Sequence, residues 1–181
     1  MKLIDKKYAV YLLDDDNFDF PTLNMMKDDL VAIGGDFHPQ RVLNAYENGI
    51  FPWYVDEYNY IHWFSPQKRM VLKPQDMKVS KSLKKSIANK GFVIKSNENF
   101  EAVIRACSEI KRKHEASTWI SEDFIKAYTN LHELDIAFSI ECYLDDELVG
   151  GLYGLLIGDI FCGESMFAKV TDASKVAFYH L

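Results

Sequence analysis

The chain lacks the features that mark several classes of protein. Its 3 cysteines among 181 residues have neither the number nor the spacing of a disulfide framework or a metal site. The longest apolar run near the C-terminal end, residues 152–157, is interrupted by Gly154 and is too short to span a bilayer. The N-terminus has no apolar core of a signal peptide. These absences predict a cytoplasmic protein that holds no metal ion and does not enter a membrane.

The composition is that of a globular protein, with 48% hydrophobic and 14% aromatic residues. Its length suits one domain, or one domain with a smaller lobe. The net charge of −6 divides unevenly, into −6 over residues 1–60, +8 over 61–120 and −8 over 121–181. A basic middle third between acidic ends indicates a polyanionic partner.

Hydrophobic periodicity and turn residues predict an α+β fold. We expect helices over residues 39–48, 80–90, 100–112, 122–134 and 173–180, the last capped by Thr171 or Asp172. We expect strands over 69–73 and 92–95, and three strands after Ile136 joined by turns at 145–146 and 158–159. Residues 14–29 and the aromatic stretch 50–54 are expected to be irregular.

The helix expected over 80–90 is basic. Lys81, Lys84 and Lys85 are three and four residues apart and therefore share a face, and no acidic residue occurs from 79 to 92. One interpretation is a solvated face of an amphipathic helix. The other is a surface that contacts nucleic-acid phosphates, which supplies affinity without sequence specificity.

Aromatic residues are dense in the segment before this helix. The aromatic residues between positions 46 and 64 include Tyr46, Phe51, Trp53, Tyr54, Trp63 and Phe64. Such rings either form a small hydrophobic core or stack on unpaired bases. The sequence leaves both interpretations open.

A third group of residues combines glycines with a glutamate among apolar neighbours. Gly150, Gly151 and Gly154 allow close approach of a ligand or of another backbone, and Glu164 lies in the stretch FCGESMF. A buried glutamate there is either paired structurally or functional. The sequence contains no nucleophile elbow of the G-x-S-x-G type and no readable nucleophile–base pair.

Several of these segments together resemble one family. AYENGIFPW, IHWFSPQKRMVL, STWISEDFIKAYTNLHEL, DELVGGLYG, FCGESMFAK and DASK follow one another between about residues 30 and 175. In this order the chain resembles the leucyl/phenylalanyl-tRNA–protein transferases, the bacterial aminoacyltransferases of the N-degron pathway.

The resemblance implies a reaction and a fold. Such enzymes transfer Leu or Phe from aminoacyl-tRNA to the N-terminal Lys or Arg of acceptor proteins, which creates a degradation signal. It implies an acetyltransferase-like (GNAT) C-terminal domain over residues 66–181 and a smaller N-terminal α/β lobe over 1–65. Acyl-CoA users of that fold carry a glycine-containing pyrophosphate loop, whereas MFAKVTDASK has no glycine. We therefore expect neither CoA nor any other cofactor.

Site residues follow from the resemblance by position. Trp53 and Trp119 match tryptophans near the 3′-terminal adenosine, and Glu164 is expected to position substrates or handle protons. Lys81, Lys84 and Lys85 match the tRNA-backbone surface. The expected lining of the Leu or Phe side-chain pocket consists of Leu152, Phe161, Met166 and Phe178.

One departure from the family leaves a second interpretation open. Family members continue beyond residue 181 with a strand that contains Asp-x-Gln, to which proton handling is attributed. The alternative to an active transferase is therefore a truncated, catalytically impaired form that binds aminoacyl-tRNA. The sequence does not decide between Leu and Phe, identify a general base or fix the oligomeric state.

Overall fold

A computed structural model describes residues 1–110 and 118–181 of the chain. These residues form two compact units, Met1–Val71 and Leu72–Leu181. The boundary lies six residues after the expected one at 65/66. Both units combine helices with strands, so the α+β prediction is confirmed at that level.

The first unit is a five-stranded sheet with one α-helix. Its elements are β1 (Lys2–Asp5), β2 (Val10–Leu13), β3 (Leu30–Gly34), α1 (Pro39–Glu47), β4 (Phe51–Val55) and β5 (Ile61–Phe64). The strand order is β1-β2-β3-β5-β4, with β2 and β3 parallel and the other neighbours antiparallel. Helix α1 starts at Pro39, where a proline loses no helical hydrogen bond.

The core of the first unit forms around Trp63. Its indole is fully buried, its Nε1 donates to the carbonyl of Gly34 at 2.9 Å, and Phe20 meets it edge-on at 4.9 Å. Arg41 of α1 is also fully buried. Its guanidinium donates to the Asp36 carboxylate at 2.9 Å and to the Asp14 carbonyl at 3.0 Å. These bonds fix the irregular segment before β3 to the start of α1.

The second unit is a four-stranded antiparallel sheet with the order β6-β7-β8-β9. Its elements are α2 (Lys81–Asn89), β6 (Val93–Ser96), α3 (Phe100–Glu109), α4 (Glu122–Glu133), β7 (Ala137–Leu144), β8 (Glu147–Ile157), β9 (Ile160–Ala168) and α5 (Ala173–Tyr179). Tyr153 of β8 packs between Phe100 and Tyr128, so α3 and α4 cover one face of the sheet. Leu152 packs in a cluster with Val176 and Leu83, so α5 and α2 lie on the opposite face.

Most predicted elements are confirmed. Ser80, Asn99 and Ser121 each cap a helix with a side-chain oxygen, as the sequence suggests for Ser121. Helix α3 ends at Glu109, and the expected end at residue 112 lies outside the described residues. Asp172 occupies the N-cap position of α5, but its side chain makes no capping hydrogen bond.

Two predictions were wrong. The stretch expected as a loop over 50–54 is largely strand β4, because aromatic residues favour extended structure and β4 is an edge strand, where Pro52 is tolerated. The strand expected over 69–73 is irregular. Met70 and Val71 are 98% and 81% exposed, so no strand among the described residues buries this apolar stretch.

Candidate active site

The β8–β9 pair carries most of the residues expected at the active site. Leu152 pairs directly with Met166, so the two side chains leave the same face of the sheet. Leu152 is 2% exposed and Met166 is 45% exposed. Phe161 and Phe178, both half-buried, pack against the cluster that contains Leu152. The structure therefore brings the four expected pocket residues to one face of the sheet, beside α5.

Glu164 lies at an irregularity in this strand pair. Tyr153 pairs with Ser165, but the next residue of β8, Gly154, pairs with Gly163. Glu164 is therefore the extra residue of a β-bulge, a feature that redirects a side chain and bends the strand. Its side chain is half-buried. The bulge gives this carboxylate a position that regular alternation would not provide.

Gly154 makes room for the Phe161 ring. A Cβ atom at Gly154 would lie 2.7 Å from Cζ of Phe161 and 2.3 Å from the carbonyl oxygen of Cys162. The glycine is thus required by the close approach of the neighbouring strand and ring. At Gly150, a Cβ would lie 2.5 Å from Cβ of Ala173, which is the first residue of α5. At both glycines, the space that a side chain would need is occupied by other atoms of the protein.

The basic helix is joined to the start of α5. Ser86 on its buried side donates to the Asp172 carboxylate at 2.8 Å, and Lys90 donates to the carbonyl of Thr171 at 2.8 Å. The Ser86 hydroxyl, and then Lys175, hold the pKa of Asp172 below its usual value despite an opposing effect of desolvation. The three lysines of the predicted tRNA surface, Lys81, Lys84 and Lys85, are all exposed.

The two tryptophans expected near the terminal adenosine lie in different units. Trp53, on β4 of the first unit, is 47% exposed and meets Phe64 edge-on at 5.0 Å. Trp119, just before α4 of the second unit, is half-buried and meets Phe124 edge-on at 5.1 Å. Each indole is fixed by a second ring and keeps part of its surface exposed.

Cys142 of β7 is a buried, free cysteine. Burial raises the pKa of the Cys142 thiol to about 11, so this cysteine is a thiol at neutral pH and a poor nucleophile. Within residues 1–110 and 118–181, no group of three His, Cys, Asp or Glu side chains is arranged to hold a metal ion. In the same part of the chain, no helix is long and apolar enough to cross a membrane.

Two polar groups were missed by the sequence analysis. Glu141 is fully buried on β7, where its Oε1 accepts from the Ser139 hydroxyl at 2.6 Å and from the backbone N–H of Asn99 at 3.4 Å. In the first unit, His62 Nε2 lies 2.8 Å from Asp56 Oδ2. The alternation of polar and apolar residues in β7 is a sequence signal for the buried Glu141. The pairing of His62 with Asp56 has no such signal and follows only from the register of β4 and β5.

Comparison with known proteins identifies the family. A profile described as leucyl/phenylalanyl-tRNA protein transferase matches residues 71–181, and one for the N-terminal domain of that family matches residues 35–67. The chain belongs to the leucyl/phenylalanyl-tRNA protein transferase family. The match to the first profile covers the whole β8–β9 site.

Curated relatives agree with this assignment. A leucyl/phenylalanyl-tRNA–protein transferase of Nitrosospira multiformis is 47% identical over 165 residues, which are 90% of this chain and 70% of the relative. Proteins of the same name from Sulfurimonas denitrificans and Flavobacterium johnsoniae are 49% and 46% identical, over 84% and 95% of this chain. The chain spans 65% and 81% of those two relatives.

Proposed function

We propose that this chain transfers Leu or Phe from aminoacyl-tRNA to the N-terminal Lys or Arg of acceptor proteins in the cytoplasm, marking them for degradation. The observation that carries the proposal is membership of a transferase family whose profile extends over residues 71–181. We include in it an acetyltransferase-like (GNAT) fold for the second unit. Its antiparallel sheet between two helical layers supports that assignment.

The proposed reaction demands little chemical machinery. The α-amine of the acceptor attacks the ester carbonyl carbon of the aminoacyl-tRNA, and a peptide bond forms as the bond to the ribose oxygen breaks. A proton passes from the amine to the leaving ribose hydroxyl. Because an α-amine has a pKa of roughly 8, a useful fraction is the free nucleophile at neutral pH. The protein has to align amine and ester and stabilise the tetrahedral oxyanion.

In this proposal the apolar residues beside α5 hold the substrate side chain. Leu152, Phe161, Met166 and Phe178 share one face, and Met166 keeps a flexible side chain at the exposed end. An apolar pocket discriminates weakly between apolar side chains, which fits acceptance of both Leu and Phe. We assign Trp53 and Trp119 to the terminal adenosine because they match family tryptophans near that nucleotide. Glu164, at the bulge, positions the acceptor amine or handles its proton.

The proposal assigns no role to CoA or another cofactor. After β9 the chain enters α5 through Asp172, which is the N-cap residue of that helix. A carboxylate there opposes the binding of a pyrophosphate, which in CoA enzymes lies at a glycine-rich helix start. We assign tRNA phosphate contacts to Lys81, Lys84 and Lys85 instead.

The test is a transfer assay with isotopically labelled leucyl-tRNA and a peptide that begins with Arg. The expected result is one labelled Leu residue added to the peptide, and none added to the same peptide with an acetylated N-terminus. Salt-dependent tRNA binding without any transfer would overturn the proposal in favour of the impaired, binding-only form.

A pair of variants tests the site. Glu164→Gln is expected to lower kcat/KM at least tenfold, since Glu164 lies on β9 between Phe161 and Met166, two of the residues that we assign to the pocket. Glu147→Gln, an exposed carboxylate at the start of β8, is the matched control and is expected to leave kcat/KM unchanged.

A further inference from the structure

Strand β4 and its hairpin partner carry a row of aromatic rings that the proposed function uses only in part. The rings of Phe51 and Trp53 lie 6.3 Å apart, Trp53 and Phe64 lie 5.0 Å apart, and Phe64 and Tyr54 lie 6.0 Å apart. The row ends at His62, on which Tyr54 stacks at 4.5 Å with 18° between the ring planes. Trp53 alone of these rings has a role in the proposed reaction.

A bulge places the two exposed rings on this surface. Pro52 pairs with Trp63, but the next paired residues are Tyr54 and His62, so Trp53 is the extra residue. Without the bulge, neighbouring residues such as Trp53 and Tyr54 would leave opposite faces of the strand. With it, both rings contact Phe64, and they are 47% and 37% exposed.

His62 and Asp56 hold the Tyr54 ring in place. His62 Nε2 lies 2.8 Å from Asp56 Oδ2, and the other oxygen of Asp56 accepts the backbone N–H groups of Tyr58 and Tyr60 at 3.0 and 2.9 Å. These contacts fix the imidazole against one face of the Tyr54 ring. A ring fixed in advance loses little conformational entropy when a ligand stacks on it.

A cation lies at the other end of the row. The Arg69 guanidinium sits 4.6 Å from the centre of the Phe51 ring. Aromatic rings interleaved with a cation form the usual platform for single-stranded nucleic acid, where bases stack on the rings and the cation meets the backbone. The Asp56 carboxylate is engaged by His62 and by two backbone N–H groups, which disfavours a basic peptide as the ligand.

We propose that Tyr54, supported by His62 and Asp56, is a second stacking site for the unpaired 3′ end of tRNA and binds a nucleotide other than the terminal adenosine. This inference rests on the proposed function, since it assumes that Trp53 meets the terminal adenosine. Stacking is sequence-tolerant, so the site adds affinity for the RNA strand and no base specificity.

The test compares two aminoacyl donors in the transfer assay, leucyl-tRNA and leucyl-adenosine. Tyr54→Leu is expected to raise KM for leucyl-tRNA by roughly 5- to 150-fold, the loss typical of one stacked base. It is expected to leave KM for leucyl-adenosine unchanged, because that donor has no second base. Trp53→Leu is expected to raise both.

Two controls separate stacking from folding. Tyr54→Phe retains the ring and is expected to behave as the unsubstituted protein. Tyr58→Leu removes a ring that is 73% exposed at the tip of the same hairpin, and it is expected to change neither KM. An equal rise for both donors in Tyr54→Leu, or a rise only in KM for the Arg-initiated peptide, would overturn the inference.

A binding measurement distinguishes failure of this inference from failure of the proposed function. If the unsubstituted protein transfers nothing, the proposed function fails. Binding is then measured by tryptophan fluorescence, with the protein titrated with the trinucleotide CCA or with adenosine monophosphate. Weaker binding of CCA to Tyr54→Leu, with unchanged binding of adenosine monophosphate, supports the stacking site. Unchanged binding of both refutes it.

Discussion

Replacing Gly154 with alanine tests whether the β8–β9 site depends on close packing between the strands. The added Cβ would lie 2.3 Å from the backbone oxygen of Cys162 and 2.7 Å from the Phe161 ring. A ring can turn aside, but a backbone oxygen moves only if the strands separate. Overpacking of this kind costs about 1–3 kcal/mol, and the backbone clash places Gly154→Ala near the upper end, at about 2–3 kcal/mol.

The assay is urea unfolding followed by circular dichroism. With a slope of about 2 kcal/mol/M, a destabilisation of this size lowers the urea midpoint by about 1–1.5 M. The same displacement of Phe161 is expected to raise KM for aminoacyl-tRNA. Both effects have one physical cause, so they are expected together.

Gly163→Ala is the matched control, because Gly163 is the cross-strand partner of Gly154. Its added Cβ would have the Phe161 ring as its nearest neighbour, at 3.8 Å, which is ordinary contact. We expect its urea midpoint to stay within about 0.5 M of the unsubstituted protein, since a glycine that tolerates alanine gains about 0.4–1 kcal/mol at most. Equal midpoints for Gly154→Ala and the unsubstituted protein, or equal decreases for the two variants, would refute the reasoning.

Three further predictions concern charges. Replacing Lys81, Lys84 and Lys85 with alanine is expected to reduce the salt dependence of tRNA binding. The slope of log K against log[salt] should fall by about 0.7–0.9 for each phosphate that the protein no longer neutralises. Replacing the exposed Lys2, Lys6 and Lys7 is the control and is expected to leave the slope unchanged. Arg41→Ala removes the hydrogen bonds that the buried guanidinium donates to the Asp36 carboxylate and the Asp14 carbonyl. The free energy of unfolding is expected to fall by about 2–3 kcal/mol. This is below the full cost of breaking a buried pair, because the Asp36 side chain is 52% exposed. The lowered pKa of Asp172 stabilises the fold above pH 3.8, and this contribution is lost as pH falls through the native value. Asp172→Asn should therefore melt at a lower temperature at pH 6 and lose less on acidification below pH 3.8; parallel melting curves would contradict the role of its carboxylate.

Local signals in the sequence predict the helices and turns of the second unit because those elements are specified by neighbouring residues. Ser80 and Gly91 mark the limits of the basic helix through capping and a left-handed glycine with φ of 70°. Asp145 and Asp146 both adopt positive φ angles, as a two-residue hairpin turn of this type requires. Each of these features depends on a few consecutive side chains.

Features that depend on pairing between distant residues were not predicted. Strand β4 forms because β5 provides a partner, and residues 69–73 stay irregular where no strand is provided. The bulges at Trp53 and Glu164 depend on how two strands are aligned, which no local pattern records. The resemblance to the family pointed to both residues by position, but it did not indicate why their side chains are placed as they are.

The two bulges suggest a common physical reason for the position of the expected site residues. In a regular strand, consecutive side chains point to opposite faces of the sheet. Trp53 and Tyr54 would then lie on opposite faces, and so would Glu164 and Ser165. One extra residue in the strand changes this parity locally, while the flanking pairs keep their hydrogen bonds. Deleting the extra residue from either bulge would leave the flanking pairs in place and would remove only the side chain that the bulge adds. The bulge in β4 is therefore what accommodates Trp53 next to Tyr54 in the ring row. The aromatic content of this hairpin therefore becomes a stacking surface only through the register of β4 and β5.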